Sequence, residues 1–480
     1  MEAKNAWESY SAKQLKELDA LSSEYIDFIS SCKTERECVD RIVEEAEAAG
    51  YKELNTLIYN NTRIKKGDKI YSVWMNKSVV LFKIGSRPIS EGMNILGAHI
   101  DSPRLDVKQN PMYEDGGFAY LDTHYYGGVK KYQWVTIPLA LHGVIVKKDG
   151  TTVIVNIGED DDDPVFFVSD LLIHLAQEQM EKKGNKVVEG EALDILIGNK
   201  PLVIKGRARK SKDDADKAGE EKKNGKDKVK NNILEILKDT YSISEEDFRS
   251  AELEVVPAGR AREAGLDRSM IFGYGHDDRV CAYPSLRAIL NAGDIERTAC
   301  CILVDKEEIG SVGATGMKSH FFENALAEIM NLNGDYSELL LKRALAGSCM
   351  LSSDVSAGYD PLYASVFEKK NCCFLGNGVV FNKYTGSRGK SNSNDANAEY
   401  IAYLRNILDE EKVVYQTAEL GKVDAGGGGT IAYILALYGM NVIDAGVAVL
   451  NMHAPWECIS KADLYEAYRC YTAFLKGEGL

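Results

Sequence analysis

Five apolar runs of strand length each lead into a residue of metal-ligand type, and this pattern constrains the fold more than any other feature of the chain. MNILGAHI closes on His99 with Asp101 two residues on; MIFGYG precedes Asp277 and Asp278, CCILVD precedes Glu307 and Glu308, SCMLSS precedes Asp354, and VAVLNM precedes His453. Taken singly, each has an ordinary reading. A lone histidine in an apolar run is a poor predictor of a ligand, and a bare Glu-Glu pair is usually solvated. Taken together they ask for a common cause. Parallel strands end side by side, so residues at their carboxyl ends converge although they lie far apart in the sequence.

The rest of the chain supports an α/β fold. With 480 residues it is long enough for about two or three domains. Residues 11–49 carry helical periodicity in two segments, with Thr34 as N-cap and Glu37 completing a capping box. From residue 69 to 100 the period shifts toward two, as in strands. After residue 257 strand-like and helix-like runs alternate, which predicts a mixed, mostly parallel sheet flanked by helices. Between residues 108 and 256 the character changes. QWVTIPLALHGVIVKKDGTTVIVNIG reads as a hairpin around KKDG with no helix between its runs. We therefore expect a discontinuous catalytic domain, 1–107 with 257–480, and an inserted β-rich domain, 108–256. Within the insertion, residues 205–231 are almost wholly charged and polar. Such a segment cannot offset its ordering entropy by burial, so a mobile surface loop is expected, with a partner-binding role as the alternative.

Composition excludes some functions. The formal charge of −15 argues against nucleic acid as a partner, because phosphate binding needs a basic face. The amino terminus lacks the apolar core of a signal peptide. The longest apolar stretch, TIAYILALYGMNVIDAGVAVL, is broken by Gly439, Asn441 and Asp444, so a helix followed by a buried strand is expected rather than a membrane span. Ten cysteines without a C-x-x-C motif suggest reduced thiols in a cytoplasmic protein.

The residue types at the five run ends match a centre in which two divalent ions about 3.5–4 Å apart share a carboxylate and a water. Imidazole and carboxylate ligands suit zinc, with cobalt or manganese as substitutes. We place His99 and Asp354 on one ion, Glu308 and His453 on the other, and Asp278 between them, although spacing alone leaves Asp277 open for that place. Glu307, beside a ligand, is the general base that takes a proton from the water and passes it to the leaving amine. Asp101 is expected to accept the second ring N–H of His99 and fix its tautomer.

GAHIDSPRL, DKEEIGSVGATG, SSDVSAGYDP and NMHAPWE, in this order with a β-rich insertion after the first, resemble the aspartyl aminopeptidase family of dinuclear zinc exopeptidases. The resemblance implies a zinc-exopeptidase-type α/β domain, an insertion that makes dimer contacts, and six dimers in a tetrahedral dodecamer acting on peptides with a free amino terminus. It carries the ligands onto His99, Asp278, Glu308, Asp354 and His453 and the base onto Glu307. In the family a histidine from a neighbouring subunit's insertion reaches the active site, and VSDLLIHLAQEQ makes His174 its counterpart. The sequence departs from the family where GHDDR replaces a single Asp followed by Asn; by position that Asp corresponds to Asp278. This departure puts the preference for an acidic amino-terminal residue in doubt.

An acidic preference needs a cation at the side-chain pocket, and Lys383, Arg388 and Lys390 in a Gly/Ser-rich loop are the candidates. The glycine run that includes Gly427 and Gly428 precedes an expected helix, and its amides are candidates for binding a substrate carboxylate or oxyanion. A Leu-type aminopeptidase and a deacylase of small amides are the alternatives within the same chemistry. A non-catalytic assembly protein would lack ligands or base, and none is lacking. A cysteine peptidase would rest on His453 and Cys458, which lie in no nucleophile motif.

Overall fold

The computed structural model describes residues 5–203, 227–386 and 388–480. They divide into two units, Met1–Ser102 with Arg260–Leu480, and Pro103–Gly259. The strands Arg104–Asp115 and Ala251–Pro257 both belong to the second unit. The expected boundaries at 107 and 257 fall within and at the end of these strands, because an apolar run does not announce which sheet it joins.

The first unit is built on a nine-stranded sheet. Its centre is Ser78–Lys83, Thr298–Val304, Met93–His99, Cys349–Ser352 and Asn441–Gly446, in that spatial order. The last four run parallel. Both faces are covered, which is why the runs are continuously apolar rather than alternating. Leu96 and Ala98 face one core with Cys301 and Leu303; Met93, Ile95, Cys300 and Ile302 face the other. The adjacent pair Cys300-Cys301 is thus divided between two cores by the two-residue period of a strand.

The helices Ala12–Ser31 and Glu35–Ala48 open the unit. The second carries the capping box in which Thr34 accepts from Glu37 N–H while the Glu37 side chain bonds back. Their buried residues, among them Tyr25, Phe28 and Ile42, share a core with Val280, Tyr283 and Leu286 of the helix His276–Leu290. The stretch after the glycine run becomes a short helix, Ala432–Ala436, and then the buried strand Asn441–Gly446. No helix among the described residues is long and apolar enough to cross a membrane.

A smaller five-stranded sheet in the same unit has the order Arg262–Ala264, Met270–Gly273, Glu457–Ser460, Ala448–Leu450, Ser356–Ala357. This corrects the expectation that all five ligand-bearing runs end one sheet. His99, Glu307, Glu308 and Asp354 follow neighbouring parallel strands of the large sheet, whereas Asp277 and His453 follow strands of the small one.

The second unit is an antiparallel six-stranded sheet, Thr152–Ile157, Leu139–Val146, Ala251–Pro257, Arg104–Asp115, Phe118–Tyr126 and Ile195–Gly198. The hairpin at KKDG closes with Lys147 N–H donating to Thr151 O at 2.8 Å. Of the charged segment 205–231, residues 205–226 lie outside the described residues, and Lys228–Tyr241 is a helix rather than part of a loop.

Candidate metal centre

Two groups of ligand-type side chains converge in the first unit. One is His99, Asp277 and Asp354; the other is Asp277, Glu308 and His453. Asp277 belongs to both. Its Oδ1 lies 3.1 Å from His99 Nε2 and its Oδ2 lies 3.2 Å from His453 Nε2. Glu308 Oε2 is 3.5 Å from His453 Nε2, and Asp354 Oδ1 is 3.9 Å from His99 Nε2. Glu307 Oε2 stands 4.0 Å from His99 Nε2.

Asp278, expected between the two ions, is elsewhere. Asp277 (φ −78°, ψ 106°) and Asp278 (φ −116°, ψ 25°) are not yet helical, and the two side chains part. Asp277 enters the cavity. Asp278 turns behind it, and its Oδ2 accepts the His99 backbone N–H at 3.3 Å. The structure brings His99 near Asp354 and Glu308 near His453, with Asp277 in both groups.

Asp101 does more than face the imidazole. His99 Nδ1 donates to the Asp101 carbonyl at 3.0 Å, with Asp101 Oδ1 3.3 Å away, which fixes the ring so that Nε2 points inward to Asp277. The same carboxylate accepts Glu307 N–H at 3.1 Å and Glu308 N–H at 3.2 Å. Glu457, the last residue of NMHAPWE and one for which the sequence carries no ligand signal, does the equivalent for the other half. Its Oε2 accepts Asp277 N–H at 3.0 Å and its Oε1 accepts His453 N–H at 2.7 Å. The one hint in the sequence is its place four residues after His453 at the start of an apolar run.

Burial pushes the carboxyls of Glu308 and Asp354 well above the usual range and that of Glu307 up to about 7. Asp277 is buried too, yet His453 and His99 on either side hold its carboxyl well below that range. Four carboxylates thus face two imidazoles, which cannot neutralise them even when both are protonated. Glu308 Oε1 is buried without a hydrogen-bond partner. An orphaned carboxylate oxygen and four clustered carboxyls beside two inward-facing imidazole nitrogens together fit divalent cations.

The cavity at this site holds about 610 Å³ and is lined also by Gly427, Gly428, Asn382, Thr385 and Lys318. The expected pocket cations are not among its walls. Lys383 and Lys390 each lie 3.5 Å from Asp395. Arg388 and Lys390 line a separate, smaller hollow. His174 lies in the second unit on a single turn, Ile173–Leu175, and borders an open cavity of about 820 Å³. Cys458 is buried in a strand with its Sγ 3.7 Å from Met270 Sδ, a packing role rather than a nucleophile's. All ten cysteines are free and buried.

Residues 28–475 match the family model described as aminopeptidase I zinc metalloprotease (M18). A probable M18 family aminopeptidase 1 from Clostridium acetobutylicum is 61% identical over 474 residues, covering 99% of this chain and 98% of that one. Among solved structures, an M18 aminopeptidase from Thermotoga maritima superimposes with a TM-score of 0.90 at 44% identity, covering 99% of each chain. The mApe1 dodecamer of Saccharomyces cerevisiae gives 0.75 at 19% identity, covering 96% of this chain and 97% of that one, a likeness of fold alone.

The strand Asn441–Gly446 ends against Asp354, and a Cβ on Gly446 would fall on the Asp354 backbone carbonyl. Gly446→Ala should therefore displace Asp354 and reduce zinc affinity by about 10-fold or more, read by metal analysis after dialysis. Wild-type retention of zinc in this variant would contradict the placement.

Proposed function

The chain belongs to the M18 family of zinc metalloproteases and is a metal-dependent aminopeptidase, and from that premise we propose that it works through two ions that share Asp277. The observation that carries the reading is the membership of Asp277 in both ligand groups, with Glu307 beside them. His99, Asp354 and Asp277 would hold one zinc, and Glu308, His453 and Asp277 the other. Once bound, the ions supply Lewis acidity toward the scissile carbonyl and lower the pKa of water.

The remaining steps belong to the protein. Glu307 takes the proton of the attacking water and delivers it to the nitrogen of the leaving amine, so the same carboxyl serves as base and then as acid. Asp101 holds Glu307 and its neighbour by their backbone amides, which keeps the base at a fixed distance from the ligands. Gly427 and Gly428 present backbone to the cavity, and donors placed there would steady the substrate's carbonyl oxygen.

For the amino-terminal residue, the cavity favours the neutral-residue reading over the acidic one. Asn382, Thr385, Tyr433 and Met452 are uncharged walls. Lys318 is engaged with the Gly310 carbonyl at 3.1 Å, while Lys383 and Lys390 answer Asp395.

Assembly is proposed as a homo-dodecamer of dimers, with His174 reaching a neighbouring subunit's site. The exposure of Ile173 and Leu175, 69% each, supports an apolar contact at that turn. A cytoplasmic location agrees with ten buried, unpaired thiols.

Zinc-loaded wild type and Glu307→Gln, assayed on aminoacyl substrates with free and acetylated amino termini, test the reading. Glu307→Gln should keep its zinc and lose about 10²–10⁴-fold in kcat. Wild type should turn over leucyl substrates faster than aspartyl ones and leave acetylated ones intact. Turnover of acetylated substrates would favour the deacylase, and faster aspartyl cleavage would restore a role for the loop cations.

A further inference from the structure

We propose that Glu457 is a positioning residue of the metal centre: its carboxylate ties the backbone of Asp277 to that of His453 and so fixes the half of the site that the large sheet does not carry. The proposal rests on the two-metal reading above.

The topology creates the need. Glu308 and Asp354 follow the two parallel strands that flank Met93–His99, and their register is set by its ladders, Val304 opposite His99 and Ser352 opposite Gly97. Asp277 and His453 have no such neighbourhood. They leave two strands of the small sheet, Met270–Gly273 and Ala448–Leu450, that do not pair with each other. The strand between them is Glu457–Ser460, antiparallel to both. Glu457 opens that strand, opposite Gly273, at the place where both ligand-bearing loops depart.

The chemistry of the side chain suits the place. A carboxylate has two acceptor oxygens and no donor, and each oxygen of Glu457 takes one backbone N–H, from His453 at 2.7 Å and from Asp277 at 3.0 Å. The residue is 1% exposed, so these bonds are made away from water. Glu457 is absent from both ligand groups, so it acts through Asp277 and His453 rather than on the ions.

The loop it holds is one that would not settle unaided. His453 and Asn451 both have left-handed backbone, φ 65° and 63°, without being glycine. Such conformations persist where the surroundings over-determine them, and functional sites are where they gather. The Glu457–His453 bond is one of the contacts that does this; the bond from Ala454 N–H to Asn451 O at 2.8 Å is another.

Glu457→Gln keeps the size of the side chain but leaves one acceptor for two donors. Glu466→Gln is the control. Glu466 is also fully buried and accepts a backbone N–H, that of Val414 at 2.7 Å, and its carboxylate also takes Arg469 at 2.8 Å, so its bonds hold neither Asp277 nor His453.

Full-length wild type and both variants would be loaded with zinc to follow its release to a chelator, and with cobalt to record the visible absorption spectrum. Glu457→Gln should release zinc about 10–100-fold faster, shift the cobalt bands and lower kcat with little change in KM. Glu466→Gln should lower the melting temperature while keeping the wild-type cobalt spectrum. Wild-type zinc release and cobalt spectrum in Glu457→Gln would overturn the proposal, as would equal spectral shifts in the two variants. A wild type that takes up no cobalt would overturn the two-metal reading itself, which is a different failure.

Discussion

Mutual repulsion among Asp277, Glu307, Glu308 and Asp354 is the constraint to which the rest of the structure answers. Two like charges about 4 Å apart cost about 4 kcal/mol at an effective dielectric of 20, and a carboxylate oxygen of Asp277 lies within 4.8 Å of one of Asp354 and of one of Glu308. Burial raises three of the four carboxyls, and Asp277 alone is kept low by flanking imidazoles. A chain that maintains such a cluster needs both a compensating charge and a scaffold stiff enough to keep the groups from turning away.

The scaffold is mostly backbone. Strands buried on both faces place His99, Glu308 and Asp354 at adjacent ends, and Gly446 lets a neighbouring strand pass close to Asp354. Where strand pairing stops, carboxylates take over. Asp101 gathers the amides of Glu307 and Glu308, and Asp278 takes that of His99. These carboxylates spend their acceptors on N–H groups that the loops would otherwise leave unpaired. Acidic residues in this site therefore divide into those that face the cavity and those that hold the chain behind it.

Much of this was legible in the sequence because strand ends carry a strong signal. An apolar run that stops on a histidine or an acid marks both the edge of a sheet and a ligand-type side chain, and His99, Glu308 and Asp354 share such an edge. The two-sheet arrangement was not legible. MIFG and AVL look like the other runs, and nothing local tells which sheet a short strand joins. Asp277 and Asp278 could not be separated for a related reason. Their roles depend on two backbone torsions at a strand-to-helix turn, which adjacent identical residues do not encode. The pairing of Lys383 and Lys390 with Asp395 was not legible, because charge pairing within a loop needs coordinates. Glu457 was overlooked because a carboxylate that accepts backbone N–H groups has no spacing motif of its own.

The shared role of Asp277 is the centre of the account, and zinc titration of metal-stripped protein tests it most directly. Wild type and Asp278→Asn should each take up two ions per chain, as a shared-carboxylate centre requires, because an asparagine can still accept the His99 amide. Asp277→Asn should bind both ions weakly. Full occupancy in Asp277→Asn with loss of zinc in Asp278→Asn would return the bridge to Asp278 and contradict the geometry described.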